Sequence, residues 1–255
     1  MSKPSRTSLF AAASIWDAPT VIAHLTSAPE LVEATDPQGR TALHRACAVK
    51  PGSSPTLAET NGIKTVSALL KAGAELEREV PMGQEEGDFR ATPLWYAVAR
   101  GENLPLVEFL LKRGANASYS LWAAVWRDDD LLCRALLSAK PELDLRAHGE
   151  TPIFYAARLK RRTTLSLLID AGADPSIQDF DGRDAVDIAR ARRLSKEIIG
   201  RLESLAQRKQ AGRAEARQAT RCARRLILPG SADAEHLESG LRCLRTLRVN
   251  DIEPP

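Results

Sequence analysis

A chain of 255 residues, 44% apolar and 27% charged, has enough apolar material to bury a core. Its net charge of +3 provides no whole-molecule field for nucleic acid or membrane, and 5% aromatic content suits small-residue helix packing better than a β-sandwich. Four scattered cysteines (Cys47, Cys133, Cys222, Cys243) form no CxxC and no disulfide framework, which points to a reducing, cytoplasmic compartment.

In chain order, the first apolar run breaks at Ser14 and Asp17, short of a signal peptide, and reads as two short helices over Ser8–His24. No later stretch approaches the ~18 apolar residues of a membrane span. Asp36-Pro37-Gln38-Gly39 is a turn, and Thr41 then opens a helix with Leu43, Ala46 and Cys47 on one face. Its partner helix, Ile63–Lys71, stops at Gly73, where glycine supplies a left-handed cap. Two polar insertions, 50–60 and 78–90, flank that helix. The same unit returns from Thr92 with a second helix over Leu104–Lys112. It returns more weakly from Tyr119, with Leu131–Leu137 and no terminal glycine. Thr151–Pro175 is the clearest copy, and a fifth begins at Asp179 with Leu194–Leu202 as its second helix. Thr41, Thr92, Tyr119, Thr151 and Asp184 mark one point of five units, the later ones recurring at roughly thirty-residue intervals. A period of that size predicts a solenoid whose units bury their apolar faces only against neighbours.

At these residues the chain resembles the ankyrin repeat family. The signature TPLHxA stands as Thr41-Ala42-Leu43-His44-Arg45-Ala46, Thr92-Pro93-Leu94-Trp95-Tyr96-Ala97 and Thr151-Pro152-Ile153-Phe154-Tyr155-Ala156. The second-helix signature VxxLLxxGA stands as Val66–Ala74 and Val107–Ala115, and loosely as Leu165–Ala173. The signature histidine survives only as His44. Trp95, Trp122, Phe154 and Asp187 replace it, so those units are expected to lose a polar tie. The resemblance implies an all-α, ankyrin-like helical repeat solenoid over residues 8–203, of about five repeats with helical caps. Residues 204–255 form a basic C-terminal extension. Within it Gln207–Arg225 reads as a polar helix and Ala234–Val249 as an amphipathic one. A cap folded back on the last repeat is the leading reading, ahead of an Arg-rich arm for nucleic acid or a helix for a partner.

Catalysis finds no support in the pattern. His24, His44, His148 and His236 have no ligand neighbours at metal spacing, and no phosphate loop or nucleophile motif occurs. Asp128-Asp129-Asp130 falls in a turn where acids favour the next helix N-terminus. Neither cofactor nor metal is expected. Binding has the better case, because the resemblance implies a concave face of turn tips and first helices. The exposed first-helix ends carry Arg100, Trp126-Arg127, Arg158-Leu159 and Arg192, a basic stripe with Trp126 near its middle. The turn tips add Arg40, Arg90, Glu150 and Arg183, with Phe89 and Phe180 either projecting or tucked beneath. Arg and Trp are the types enriched at binding hot spots. The expectation is a monomeric, non-catalytic adaptor binding an acidic protein segment with an apolar anchor. The alternative is a nucleic-acid-associated protein using the Arg-rich tail.

Overall fold

The computed structural model describes residues 3–53, 57–81 and 90–227, with side chains as far as residue 221. Phe89, His236, Cys243 and the Ala234–Val249 helix lie outside the described residues, as do the side chains of Arg90 and Cys222.

Helices in antiparallel pairs make up the described chain: α1 (Arg6–Ser14) and α2 (Ala18–Ser27), α3 (Ala42–Cys47) and α4 (Glu59–Lys71), then α5 (Pro93–Tyr96) and α6 (Leu104–Lys112). α7 (Ser120–Arg127) and α8 (Asp130–Ser138), α9 (Pro152–Leu159) and α10 (Arg162–Asp170), and α11 (Ala185–Ala191) and α12 (Lys196–Ile227) follow. First helices pack on first helices and second on second, α1 on α3 and α2 on α4 included. The N-terminal pair is therefore stacked like the repeats that follow it. Trp16 ties it down, buried at a left-handed φ of 55° with its indole N–H donating to the Ala46 carbonyl at 2.8 Å. The ring lies so close to Gly62 that a Cβ there would stand 2.9 Å from it, which explains that glycine inside a helix.

The helices start where short polar side chains cap them. Thr92, Asn103, Asp129 and Thr151 accept from the backbone N–H groups of Trp95, Leu106, Leu132 and Phe154. The predicted tie lost at Asp187 is in fact restored. Asp184 and Asp187 form a reciprocal capping box, because a carboxylate at that position accepts from the Asp184 N–H at 3.2 Å. In the first motif-bearing unit His44 Nδ1 accepts from the Thr41 N–H at 3.1 Å, so Nε2 carries the proton and donates to the Arg78 carbonyl at 2.9 Å. Burial pulls His44 down from 6.5 to about 4, and the ring is neutral. Second helices end at Gly73, Gly114 and Gly172 with φ of 99°, 90° and 80°. In the unit without glycine Lys140 takes the same place at φ 54°.

The insertion around residues 78–90 is not wholly loop. Val80–Pro81 pairs antiparallel with Arg90–Ala91 in a two-residue ladder. The other insertion is shorter than the composition suggests, since α4 already begins at Glu59.

Each loop after a second helix is joined to the next by one rule. Glu33 accepts from the Glu75 N–H at 3.0 Å, Glu77 from Asn116 at 2.9 Å, Ser118 from Glu142 at 3.0 Å and Asp144 from Asp174 at 2.7 Å. From Glu75 on, the residue that donates its amide stands two before the one that passes an oxygen forward. The last step is taken by α12, where Arg213 reaches Asp174 and donates to Ser176 at 3.2 Å. Nearer its start α12 buries Leu202 and Leu205, and Arg201 donates to Ser166 and Asp170 at 2.6 and 2.7 Å. It crosses positions 203–204 without a break, because Glu203 through Gln210 contains no helix-stopping residue. Beyond Gln207 it is mostly exposed.

Candidate functional site

From α5 on, the first helices end at residues in the left-handed region, and these fix the register of the expected stripe. They are Glu102, Asp128, Lys160 and Arg193, with φ between 47° and 58°. Counting back, Arg100, Trp126 and Arg158 share one position, two residues before the end. Arg127, Leu159 and Arg192 share the position one residue before it. The four arginines therefore form two rows.

Counted from the helix starts, Arg100, Arg127 and Arg192 share a position and Arg158 stands one earlier; a single extra residue then moves Arg100 level with Arg158 at the helix ends. Asp128, Lys160 and Arg193 stand nine positions after Tyr119, Thr151 and Asp184, whereas Glu102 stands ten after Thr92. The chain absorbs the surplus as one π-helical turn, Ala97–Gly101, closed by the Glu102 N–H on the Ala97 carbonyl. Such bulges concentrate at functional sites. The bulge pushes Gly101 against the preceding repeat, where a Cβ would lie 2.5 Å from the Cys47 carbonyl oxygen.

Charge along these helix ends is partly committed. Glu102 bridges three units: Lys50 binds it at 2.8 Å and Arg127 at 2.6 Å, while Arg127 also donates to the Ala99 carbonyl at 3.3 Å. The Lys50 hydrogen bond, with help from Arg127, holds Glu102 below the usual carboxylate range. Asp128 accepts both the N–H and the hydroxyl of Thr164 at 3.0 Å. Arg158 forms a forked pair with Glu150 at 2.8 and 3.0 Å and lies 5.1 Å from the Tyr155 ring centroid. Arg100 and Arg192 are exposed and make no ion pair among the described residues. Trp126, at 55% exposure, stands at the α7 end, and Leu159 is half-buried at the α9 end.

The turn tips carry closed pairs. Arg40 binds Asp36 at 2.8 Å, and Arg45 binds the same carboxylate at 3.0 Å. Arg183 binds Asp179 and Asp181, both at 2.6 Å. Phe180 is not tucked under its turn: it is 83% exposed, with its ring lying over Gly149, where a Cβ would meet it at 2.5 Å. Arg146, which the sequence reading missed, donates to the carbonyls of Gly149 and Gln178 and so joins two tips. Its guanidinium is 5.8 Å from the Phe180 centroid. Glu102 was missed as well; the signal available for it was the extra position between Thr92 and the end of its helix.

Among the described residues no group of three His, Cys, Asp or Glu side chains is placed to hold a metal, and no helix is long and apolar enough to cross a membrane. Burial pushes the Cys133 thiol up to about 12 and the Cys47 thiol higher still.

The ankyrin-repeat family model matches residues 56–179 in three copies. Solved structures similar to this chain are themselves ankyrin repeat proteins. An ankyrin repeat domain from Acinetobacter baumannii AYE is 25% identical, covers 78% of this chain and 95% of its own, and gives a TM-score of 0.56. The ankyrin repeat protein EF0377 is 22% identical, covers 80% and 98%, and gives 0.57. The ankyrin repeat domain of Bcl-3, a member of the IkappaB protein family, is 20% identical, covers 79% and 98%, and gives 0.52.

Proposed function

Because this chain carries ankyrin repeats and folds as an all-α ankyrin repeat solenoid, we propose that it is a non-catalytic adaptor that binds a protein partner along its first-helix ends. Ankyrin repeats are in general protein–protein interaction modules. The observation that carries the finer reading is Trp126. More than half of its large apolar surface faces water at the α7 end, next in sequence to Arg127, and that exposure costs free energy unless a partner covers it. Arg127 and Arg158 are already held by Glu102 and Glu150, so little ordering remains to be paid on binding. Arg100 and Arg192 keep uncompensated charge and would steer an acidic segment whose apolar anchor covers Trp126. Phe180 offers a second anchor at the turn tips. A reducing cytoplasmic setting fits the two buried free thiols.

The test is affinity capture with cross-linking, comparing wild type with Trp126→Ala and with Arg100→Glu/Arg192→Glu. Arg127 and Arg158 are left alone because glutamate there would face Glu102 and Glu150. A protein cross-linked beside Trp126 and lost in both variants supports the reading. Capture unchanged in both, but lost on shortening α12 before its exposed arginines, would move the function to the tail.

A further inference from the structure

A second surface opens on the other side of the stack, between the second helices of the first two pairs. α2 and α4 face each other across a groove of about 780 Å³ whose floor is apolar: Ile22 and Leu25 from α2, Ile63 and Ala68 from α4. Ile22 is 53% exposed there. At two later joins larger side chains stand at this place. The register that pairs Val66–Ala74 with Val107–Ala115 sets Ala68 and Ala72 of α4 against Phe109 and Arg113 of α6. In α6 the guanidinium stacks 4.8 Å from the Phe109 ring centroid. At the α10–α12 join Arg201 fills the corresponding place by binding Ser166 and Asp170. Only small side chains stand at those positions of α4, so its join with α2 keeps an apolar trough.

The charged residues that line the trough have one sign. Lys64 and Lys71 rise from its α4 wall, exposed and without an ion pair among the described residues, while no acidic residue lines it and α2 brings no carboxylate. Seven positions apart on one helix, the two ammonium groups stand about 10 Å from each other along the axis. We propose that this groove docks an amphipathic helix of a partner protein. Its apolar stripe would cover Ile22, and two carboxylates about seven residues apart would face Lys64 and Lys71. A recessed trough between two near-parallel helices accepts a third helix by side-chain interdigitation, which a flat membrane surface does not do. The proposal is independent of the first-helix stripe, because no residue is shared.

The probe is a labelled helical peptide of about fourteen residues with a Leu/Ile stripe and two Glu residues seven apart, together with a twin carrying Lys instead. Fluorescence anisotropy should show the Glu peptide binding wild type about tenfold more tightly than the twin, and the order reversing with Lys64→Glu/Lys71→Glu. Ala68→Phe places in α4 the residue that α6 carries at the same register. It should keep the helical spectrum and melting temperature while abolishing binding of the Glu peptide. The Trp126→Ala variant should bind as wild type does. Equal binding of the two peptides, no binding of either, or undiminished binding to a folded Ala68→Phe protein overturns the proposal. So does wild-type binding to phosphatidylserine vesicles that the lysine double variant loses, which would make the lysines a lipid contact.

Discussion

The two edges of this stack join its repeats by different chemistry. Where one pair hands over to the next, an acceptor oxygen passed forward meets a backbone amide at successive joins, and the side chain that offers it is Glu, Glu, Ser or Asp. At the opposite edge, where first helices end, side chains meet side chains, and only some joins are satisfied: Lys50–Glu102–Arg127 and Asp128–Thr164. Amide rungs consume the polar groups that form them and leave nothing over. Side-chain pairing there leaves Arg100 and Arg192 without an ion pair among the described residues, and Trp126 stays exposed. One edge is closed by amide rungs, and the other keeps unpaired arginines and an exposed tryptophan.

The amide edge rests on His44, whose Nε2–H holds the segment that carries the Glu77 rung. Its folded value of about 4 lies below the 6.5 of the unfolded chain, so the unfolded state takes up the proton first. The associated stability is complete above pH 6.5 and declines between 6.5 and 4, by up to about 3 kcal/mol. Denaturation of wild type across that window should show the loss, and His44→Gln, which keeps a capping side chain, should flatten it. A midpoint that does not move between pH 7 and 4.5 would sink this account. Asp36 acts lower: burial raises it, but the hydrogen bonds and charge of Arg40 outweigh burial and depress it, so its contribution goes only as pH falls below the usual carboxylate range.

The first-helix edge has its own point of failure at the π turn. Gly101→Ala sets a Cβ 2.5 Å from the Cys47 carbonyl oxygen, and backbone on both sides resists the shift. A loss of about 1–3 kcal/mol is expected from overpacking of this kind. Hydrogen exchange should show it as faster opening of the joint between α3 and the Ala97–Gly101 turn. Unchanged protection there would mean that the bulge is loosely held.

How much of this was legible in the chain depends on which contacts a repeat signature encodes. Leu104–Lys112 is the helix that its spacing predicts, because Asn103, Pro105 and Gly114 punctuate it unambiguously. The stacking of α1 and α2 was harder to see, since that pair carries neither motif and is held by apolar packing of Leu9, Ala13, Val21 and Leu25 together with the tryptophan bond to Ala46. The arginines form two rows because Arg158 stands one position earlier in its unit than Arg127 and Arg192 do in theirs, and the π turn, whose only trace in the sequence is one surplus position, moves Arg100 level with Arg158. The neutralising acids, Glu102 and Glu150, come from loops whose distance from the arginines no helical periodicity reports. Asp187 looked like a broken signature, yet a carboxylate accepts the same amide hydrogen that the histidine nitrogen does.

Removing one rung from each edge separates the two chemistries. Asp144→Ala leaves the buried Asp174 with an unsatisfied N–H, at a cost of about 1–2 kcal/mol that salt does not alter. Glu102→Gln keeps the shape but discharges the bridge between Lys50 and Arg127, all partly exposed, and should cost less than about 1 kcal/mol. That smaller loss should vanish at about 1 M salt, where charges are screened within about 3 Å. Urea titrations at low and high salt read both. Equal salt sensitivity of the two variants would erase the distinction between the edges.

The smallest effect expected has the opposite sign. Gly73, Gly114 and Gly172 end their second helices in the left-handed region, and Lys140 does the same work at φ 54° with a side chain that disfavours it. Its N–H still closes the turn on the Leu137 carbonyl at 3.0 Å, two residues before the Glu142 rung. A lysine held there costs about 1–2 kcal/mol, whereas glycine pays back part of the gain through its freer unfolded chain. Lys140→Gly should therefore stabilise the protein by somewhat under 1 kcal/mol and raise its melting temperature by a few degrees. A melting temperature that falls instead would mean that the lysine side chain supports the amide edge in a way its exposure conceals.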